Sequence, residues 1–266
     1  MIFALSVVVF GACQSDFNPQ IISAELIDVV PTEHSQNNEM SKWLAPYKTT
    51  LDKFMGVEIG VAAKELMHKE NVAESLLGNF ILEVMKDYAK NHRQKFDFTI
   101  TNKGGLRGSL PCGTLTIGDV YSVFPFDNEL VILTLSGKKV EQLCREIANK
   151  DGEITDGIKM LIFENEKIEE IYINGSKLDT LRNYKVLTTD YLSFGSDKLF
   201  ALADYSEMYC FKAPLREVII NYIENENKKG KKIDAKLKNE TIIFTDDLIP
   251  THRIQCVQIC IDTEDF

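Results

Sequence analysis

Apolar positions along the chain change period several times, and each change marks an element. From Met40 to Lys69 the residues Leu51, Phe54, Met55, Ile59, Ala62, Ala63, Leu66 and Met67 recur at three- and four-residue steps. That spacing predicts a helix, weakened at Gly56 and Gly60. A second helix is predicted from Glu74 to Asn91, with Leu76, Leu77, Phe80, Ile81, Val84, Met85 and Tyr88 on one stripe. The period then drops to two: Phe96, Phe98 and Ile100 alternate with Asp97 and Thr99, the signature of a strand. Thr116-Ile117-Gly118-Asp119 has the form of a capping box and starts a short helix through Tyr121. Glu129–Leu135 reads as an apolar strand, and Ser136-Gly137 opens a helix carrying Val140, Leu143, Cys144 and Ile147.

Further strands are predicted at Ile158–Phe163, Ile168–Ile173 and Tyr184–Thr189, with Asn174-Gly175 as a turn. Leu215–Ile223 is an amphipathic helix, Lys228–Lys232 a solvated basic loop, and Ile242–Phe244 a last strand. The pattern divides the chain into an apolar leader (1–12), a polar tether (13–39), a linking helix (40–73), a folded domain (74–249) and a tail (250–266).

The leader ends in Gly11-Ala12-Cys13 and is followed at once by Gln14-Ser15-Asp16. An 11-residue apolar run is too short to span a bilayer but fits a signal-peptide core. The segment resembles the lipobox of bacterial lipoproteins, which implies acylation of Cys13 and a cell-envelope location, anchored to a membrane and facing the periplasm or lying at the outer membrane. The competing reading is a buried N-terminal strand with an ordinary cysteine.

Composition narrows the function classes. The 266 residues are 44% apolar and carry a net charge of −10. An acidic chain is a poor nonspecific ligand for nucleic acid polymers, whose affinity rests on many Lys and Arg contacts to phosphate. Four histidines, none paired at i, i+2 or i, i+4, do not supply a two-metal phosphatase centre, whose ions lie ~3.5–4 Å apart among converging ligands. Phosphate-loop, dinucleotide and nucleophile-elbow motifs are absent. No metal ligand and no catalytic residue is assigned to this chain.

Three segments carry chemistry. Asn102-Lys103-Gly104-Gly105-Leu106-Arg107-Gly108 follows a strand. Its glycines admit close backbone approach, and Asn and Arg offer donors for an anion or polar ring. A plain glycine turn with a surface Arg fits the same residues. Phe124-Pro125-Phe126-Asp127-Asn128 is an aromatic stretch that Pro keeps out of a central strand; Phe126 is either core or a presented ring. Thr189-Asp190-Tyr191-Leu192-Ser193-Phe194-Gly195-Ser196-Asp197 again ends a strand in an aromatic, with a Gly and an Asp close behind. Two aromatics on two loops suit a flat base, and a carboxylate suits ribose hydroxyls.

These segments, in this order and preceded by Glu74-Ser75-Leu76-Leu77-Gly78-Asn79, resemble the C-terminal, substrate-recognition domain of the 5′-nucleotidase family, from about Tyr47 to Phe244. The resemblance implies an α/β (α+β) fold, a four-layered α-β-β-α single domain. It also implies hydrolase chemistry in nucleotide catabolism, done by an N-terminal dimetal phosphatase domain that lies outside the matching segments. By position, Asn102, Gly104, Gly105 and Arg107 match the loop that contacts ribose and phosphate. Phe126 and Tyr191 match the two walls of a base clamp, where Tyr keeps the π-face of the usual Phe. Asn128 matches a base contact, Gly195 and Asp197 the ribose-binding loop, and Asn79 a further substrate position. Asn71 stands where some members have Arg, and Ser196 where they have a second Gly. The implied activity is recognition of a nucleoside 5′-monophosphate or related ester for a separately encoded dimetal phosphatase. Divalent metals are then expected only in that partner. The alternative is a stand-alone nucleoside- or nucleotide-binding lipoprotein.

Overall fold

The computed structural model describes residues 39–68, 74–150, 152–162, 168–238 and 242–244. The leader, Cys13, the tether through residue 38, Asn71 and the tail from 250 lie outside them. The chain divides into two units, residues 1–46 and 47–266. Of the first, the described part is the opening of one helix, α1 (Glu39–Met55).

The first correction to the sequence reading falls here. The helix predicted over Met40–Lys69 stops at Met55, and Glu58–Ala62 is a strand, β1. It pairs antiparallel with β3 (Gly113–Thr116). A Cβ at Gly60 would sit 2.6 Å from Cγ2 of Ile223, so the strand lies directly against the helix that carries Ile223. Ile59 and Ala62 are both buried in the same core although three apart, because the register of β1 shifts between Glu58 and Gly60; a bulged strand thus gives the three-residue step that reads as a helical stripe.

The central layer is a five-stranded sheet in the order β10-β4-β9-β2-β5. Its members are β2 (Phe98–Thr101), β4 (Glu129–Ser136), β5 (Ile154–Asp156), β9 (Asn183–Thr189) and β10 (Glu207–Pro214). β2 and β9 run parallel and the other pairings are antiparallel. Because side chains alternate along a strand, the sheet has two apolar faces. One, with Leu130, Ile132 and Leu187, packs against α2 (Leu76–Asn91), α3 (Ile117–Val123) and α6 (Leu215–Lys228). The other, with Phe98, Ile100, Val131 and Val186, packs against α4 (Gly137–Ala148) and a second sheet. That second sheet has the order β11-β6-β7-β8: β6 (Ile158–Ile162), β7 (Ile168–Ile173), β8 (Ser176–Lys177) and β11 (Ile242–Phe244). The mixed α/β architecture agrees with the sequence reading.

Local chemistry accounts for the boundaries. Ser75 caps α2 by accepting from the Gly78 amide at 3.1 Å. Thr116 and Asp119 form the predicted reciprocal capping box, and α3 runs two residues past the expected end. Asn174 and Gly175, both at positive φ, make the β7–β8 turn. Phe80, 1% exposed on α2, anchors the first core; full burial of such a side chain contributes roughly 1.5–3 kcal/mol. The helix predicted over Leu215–Ile223 continues to Lys228, so the basic loop begins one residue later than expected. β5 and β10 answer to no strand in the sequence reading.

Candidate functional site

The three loops singled out in the sequence leave the same end of the central sheet. β2 ends at Thr101 and delivers Asn102. β9 ends at Thr189 and delivers a one-turn helix, α5 (Asp190–Ser193). The segment through Phe126 enters β4, whose Leu130 pairs with Thr189. Sheet register therefore brings the segments that carry Phe126 and Tyr191 to the same end of neighbouring strands, although 65 positions separate the two residues in sequence. Asp190 ties the junction: its Oδ1 accepts from the backbone N–H of Glu129 at 2.9 Å and of Tyr191 at 2.7 Å.

Asp197 is the hub. Its Oδ2 accepts from the Asn102 amide at 2.5 Å, and its Oδ1 accepts from the Tyr191 hydroxyl at 3.0 Å. Asn102 is buried, so its geometry is fixed by the fold. Gly104 and Gly105 pack against this pair. A Cβ on Gly105 would lie 3.0 Å from Oδ1 of Asn102, and one on Gly104 3.4 Å from the Asp197 carboxylate. Gly195, Asp197 and Lys198 all have φ between 55° and 74°. Two consecutive non-glycine residues in the left-handed region cost on the order of 1–2 kcal/mol each, and such strain concentrates at binding sites.

The rings are presented rather than buried: Phe126 is 43% exposed and Tyr191 39%. The Arg107 guanidinium lies over the Phe126 ring, 5.3 Å from its centroid. Its positive charge also reaches Tyr191. Burial and the Asp197 carboxylate together hold the Tyr191 phenol above its ordinary pKa, with Ser196 and Arg107 opposing them. The phenol is thus a neutral hydrogen-bond donor at physiological pH. A cation, a carboxylate and two exposed rings stand together at the mouth of three loops. That set can stack a flat ring, accept hydrogen bonds from hydroxyls and face an anion.

Two further assigned residues have no described hydrogen bond to the Asp197 hub. Asn79, in the first turn of α2, spends both amide protons, on Oε1 of Glu74 at 2.5 Å and on the Lys236 carbonyl at 2.6 Å. Only its Oδ1 is left for a ligand, and no described hydrogen bond joins it to the Asp197 hub. Asn128 is half-buried, and its carbonyl accepts from the Leu215 amide at 2.8 Å, which fixes the loop to α6.

Two supporting residues were not singled out in the sequence. Arg216 is 8% exposed; it donates to the Phe124 carbonyl at 3.1 Å, pairs with Asp127 and covers the Tyr121 ring at 4.0 Å. It holds the Phe126 loop from beneath. Glu153, 2% exposed, pairs with Lys150 and accepts from the Lys103 amide at 2.8 Å, anchoring the glycine loop. Among the described residues, no group of three or more His, Cys, Asp or Glu side chains is placed to hold a metal, and no helix is long and apolar enough to cross a membrane.

Comparison with known proteins identifies the family and the fold. Residues 58–204, more than half of the chain, match the family model described as 5′-nucleotidase, C-terminal domain. Protein UshA of Yersinia enterocolitica is 27% identical over 205 residues, covering 73% of this chain and 36% of that protein. The trifunctional nucleotide phosphoesterase protein YfkN of Bacillus subtilis is 30% identical over 203 residues, covering 68% of this chain and 14% of its own length. Among solved structures, a 5′-nucleotidase precursor from Thermus thermophilus superposes with a TM-score of 0.65 at 22% identity, over 78% of this chain and 43% of the other. The chain thus spans a minority of the length of each of these relatives. On the matching model and the loops it contains, the chain belongs to the 5′-nucleotidase C-terminal domain family.

Proposed function

We propose that this chain recognises a nucleoside or nucleotide, and positions a nucleoside 5′-monophosphate or related ester for hydrolysis by a separately encoded dimetal phosphatase. The observation that carries the reading is the Asp197 hub, hydrogen-bonded to Asn102 and Tyr191 and flanked by two exposed rings and Arg107.

In this reading the base stacks between Phe126 and Tyr191, with Asn128 at its edge. Asp197 accepts from ribose hydroxyls, Asn102 orients that carboxylate, and Arg107 faces the phosphate end. The metals of the partner supply an activated water. This chain contributes proximity and orientation, the largest share a non-reacting domain can offer. An acylated Cys13 holds the protein at the cell envelope. A cell-surface location is in keeping with a relative from Listeria monocytogenes named as a cell wall protein, 25% identical over 219 residues.

The test is calorimetric titration of AMP, adenosine, adenine and UDP-glucose into the full chain in detergent. The expected result is binding of the ribosides, with Asp197→Asn weakening adenosine and leaving adenine unchanged. Absence of binding by all four ligands overturns the reading. Riboside binding with no added phosphate hydrolysis beside any metallophosphatase favours the stand-alone binding protein instead.

A further inference from the structure

At the opposite end of the β2–β9 pair lies a cleft of about 780 Å³, within the size range of small-molecule sites. It is bounded by the C-terminal turn of α2, the entry to β2, the entry to β9 and the β5–β6 corner. β9 has six residue steps of about 3.3 Å, so the cleft is roughly 20 Å from the Tyr191 end. It is a separate place on the molecule.

Its charge runs against that of the chain. Lys86, Lys90, Lys95, Arg182 and Lys185 line it, against two carboxylates, Asp97 and Asp156, in a protein of net charge −10. Both carboxylates are already engaged. Asp156 pairs with Lys86 and also with Lys238 at 3.2 Å. Asp97 pairs with Arg182 and accepts from the Lys185 backbone N–H at 2.7 Å. Lys90, Lys95 and Lys185 therefore have no acidic partner among the described residues. Lysines at a helix C-terminus offset the helix dipole, which accounts for Lys90. It does not account for Lys185 and Arg182, which arrive on β9 and the segment before it.

We propose that this cleft is a second anion site, built for a compact oligophosphate carrying three or more closely spaced negative charges. The surplus of three cations matches such a chain in number. Flexible ammonium groups suit phosphate as point charges, and the one guanidinium that lines the cleft, Arg182, is paired with Asp97. The amides of Gln94 and Asn183, which also line the cleft, add donors.

The experiment titrates inorganic tripolyphosphate into the full chain at low and high salt, with ATP and pyrophosphate in parallel. Wild type is expected to bind tripolyphosphate, less tightly in high salt. The combined variant Lys90→Gln, Lys95→Gln, Lys185→Gln is expected to weaken it at least tenfold while leaving adenosine affinity and melting temperature unchanged. Lys185→Glu alone gives a second, milder test of the same sign. ATP is titrated into Tyr191→Ala, in which base stacking at the Asp197 end is lost: affinity equal to that of tripolyphosphate supports the phosphates as the recognised group, and much tighter ATP binding there overturns it. No tripolyphosphate binding, binding retained in the combined variant, or binding lost in Arg107→Ala instead overturns the proposal. Because the probe carries no base or ribose, its result is independent of whether the Asp197 end binds nucleosides.

Discussion

Replacing Tyr191 by Phe removes one oxygen atom and keeps the ring. If only the π-face mattered, nucleoside affinity would not change. The structure predicts an increase. Both Asp197 oxygens are engaged within the protein, one by Asn102 and one by the Tyr191 hydroxyl. An incoming ribose hydroxyl must displace Tyr191 or share its oxygen. A hydrogen bond to a charged group is worth about 1.5–3 kcal/mol when well shielded. Tyr191 is 39% exposed, so water competes and the value falls to roughly 0.5–1.5 kcal/mol. Removing the competitor should tighten adenosine binding by about two- to tenfold. Free adenine, which makes no ribose contact, should bind as before. Tyr191→Ala should instead weaken both ligands, because the stack, ~1–3 kcal/mol per base, is lost. Calorimetry of adenosine and adenine on the three proteins, with melting temperatures as a fold control, measures the difference. Adenosine affinity unchanged or reduced in a folded Tyr191→Phe protein refutes the competition argument.

Arg216→Ala should cost about 2–4 kcal/mol of stability, through the lost Phe124 and Asp127 partners and the bared Tyr121 face, and should weaken nucleosides more than it weakens tripolyphosphate. Denaturant unfolding and paired titrations check it, and a stable variant with full adenosine affinity contradicts the positioning role. Burial pushes the Cys144 thiol up to about 12, so a thiol alkylator at pH 8 should modify exposed Cys112 in the native protein and Cys144 only after unfolding, as mass spectrometry of tryptic peptides reports. For Asp156, burial acts to raise the pKa, but hydrogen bonds and charge from Lys86 and Lys238 outweigh it and hold the carboxyl below its usual value. A depressed folded pKa stabilises above the unfolded value, ~3.9, and that stability is lost as pH falls below it. The melting temperature of wild type should therefore drop on acidification below about pH 4, and Asp156→Asn should show a shallower drop.

What the sequence reveals here is what is local. The capping box of Thr116 and Asp119 spans four residues and forms as read. Asn102, Arg107, Tyr191 and Asp197 were legible because each stands in a loop just after a strand whose period is clear. The strand nature of Glu58–Ala62 was not, since its partner lies some fifty positions on and its inner residues mimic a helical stripe. β5 is too short to show alternation, and β10 is an edge strand with little buried surface. The Tyr191 hydroxyl bond depends on the left-handed turn at Asp197, which a Gly-Ser-Asp string does not specify. Arg216 reaches a carbonyl 92 positions away, and the basic cleft gathers its lysines from separate segments; neither has a sequence signal.

The pairing of Leu130 with Thr189 has one more consequence. The segments that carry Phe126 and Tyr191 spring from neighbouring strands, so the distance between their roots is set by the ladder, about 4.8 Å, while the separation of the rings is set by the segments beyond it. Loops drift and breathe, whereas a hydrogen-bonded ladder does not stretch. Substitutions in either loop can therefore shift the rings while their anchor points stay a fixed distance apart, as teeth can be changed in a jaw whose hinge stays put.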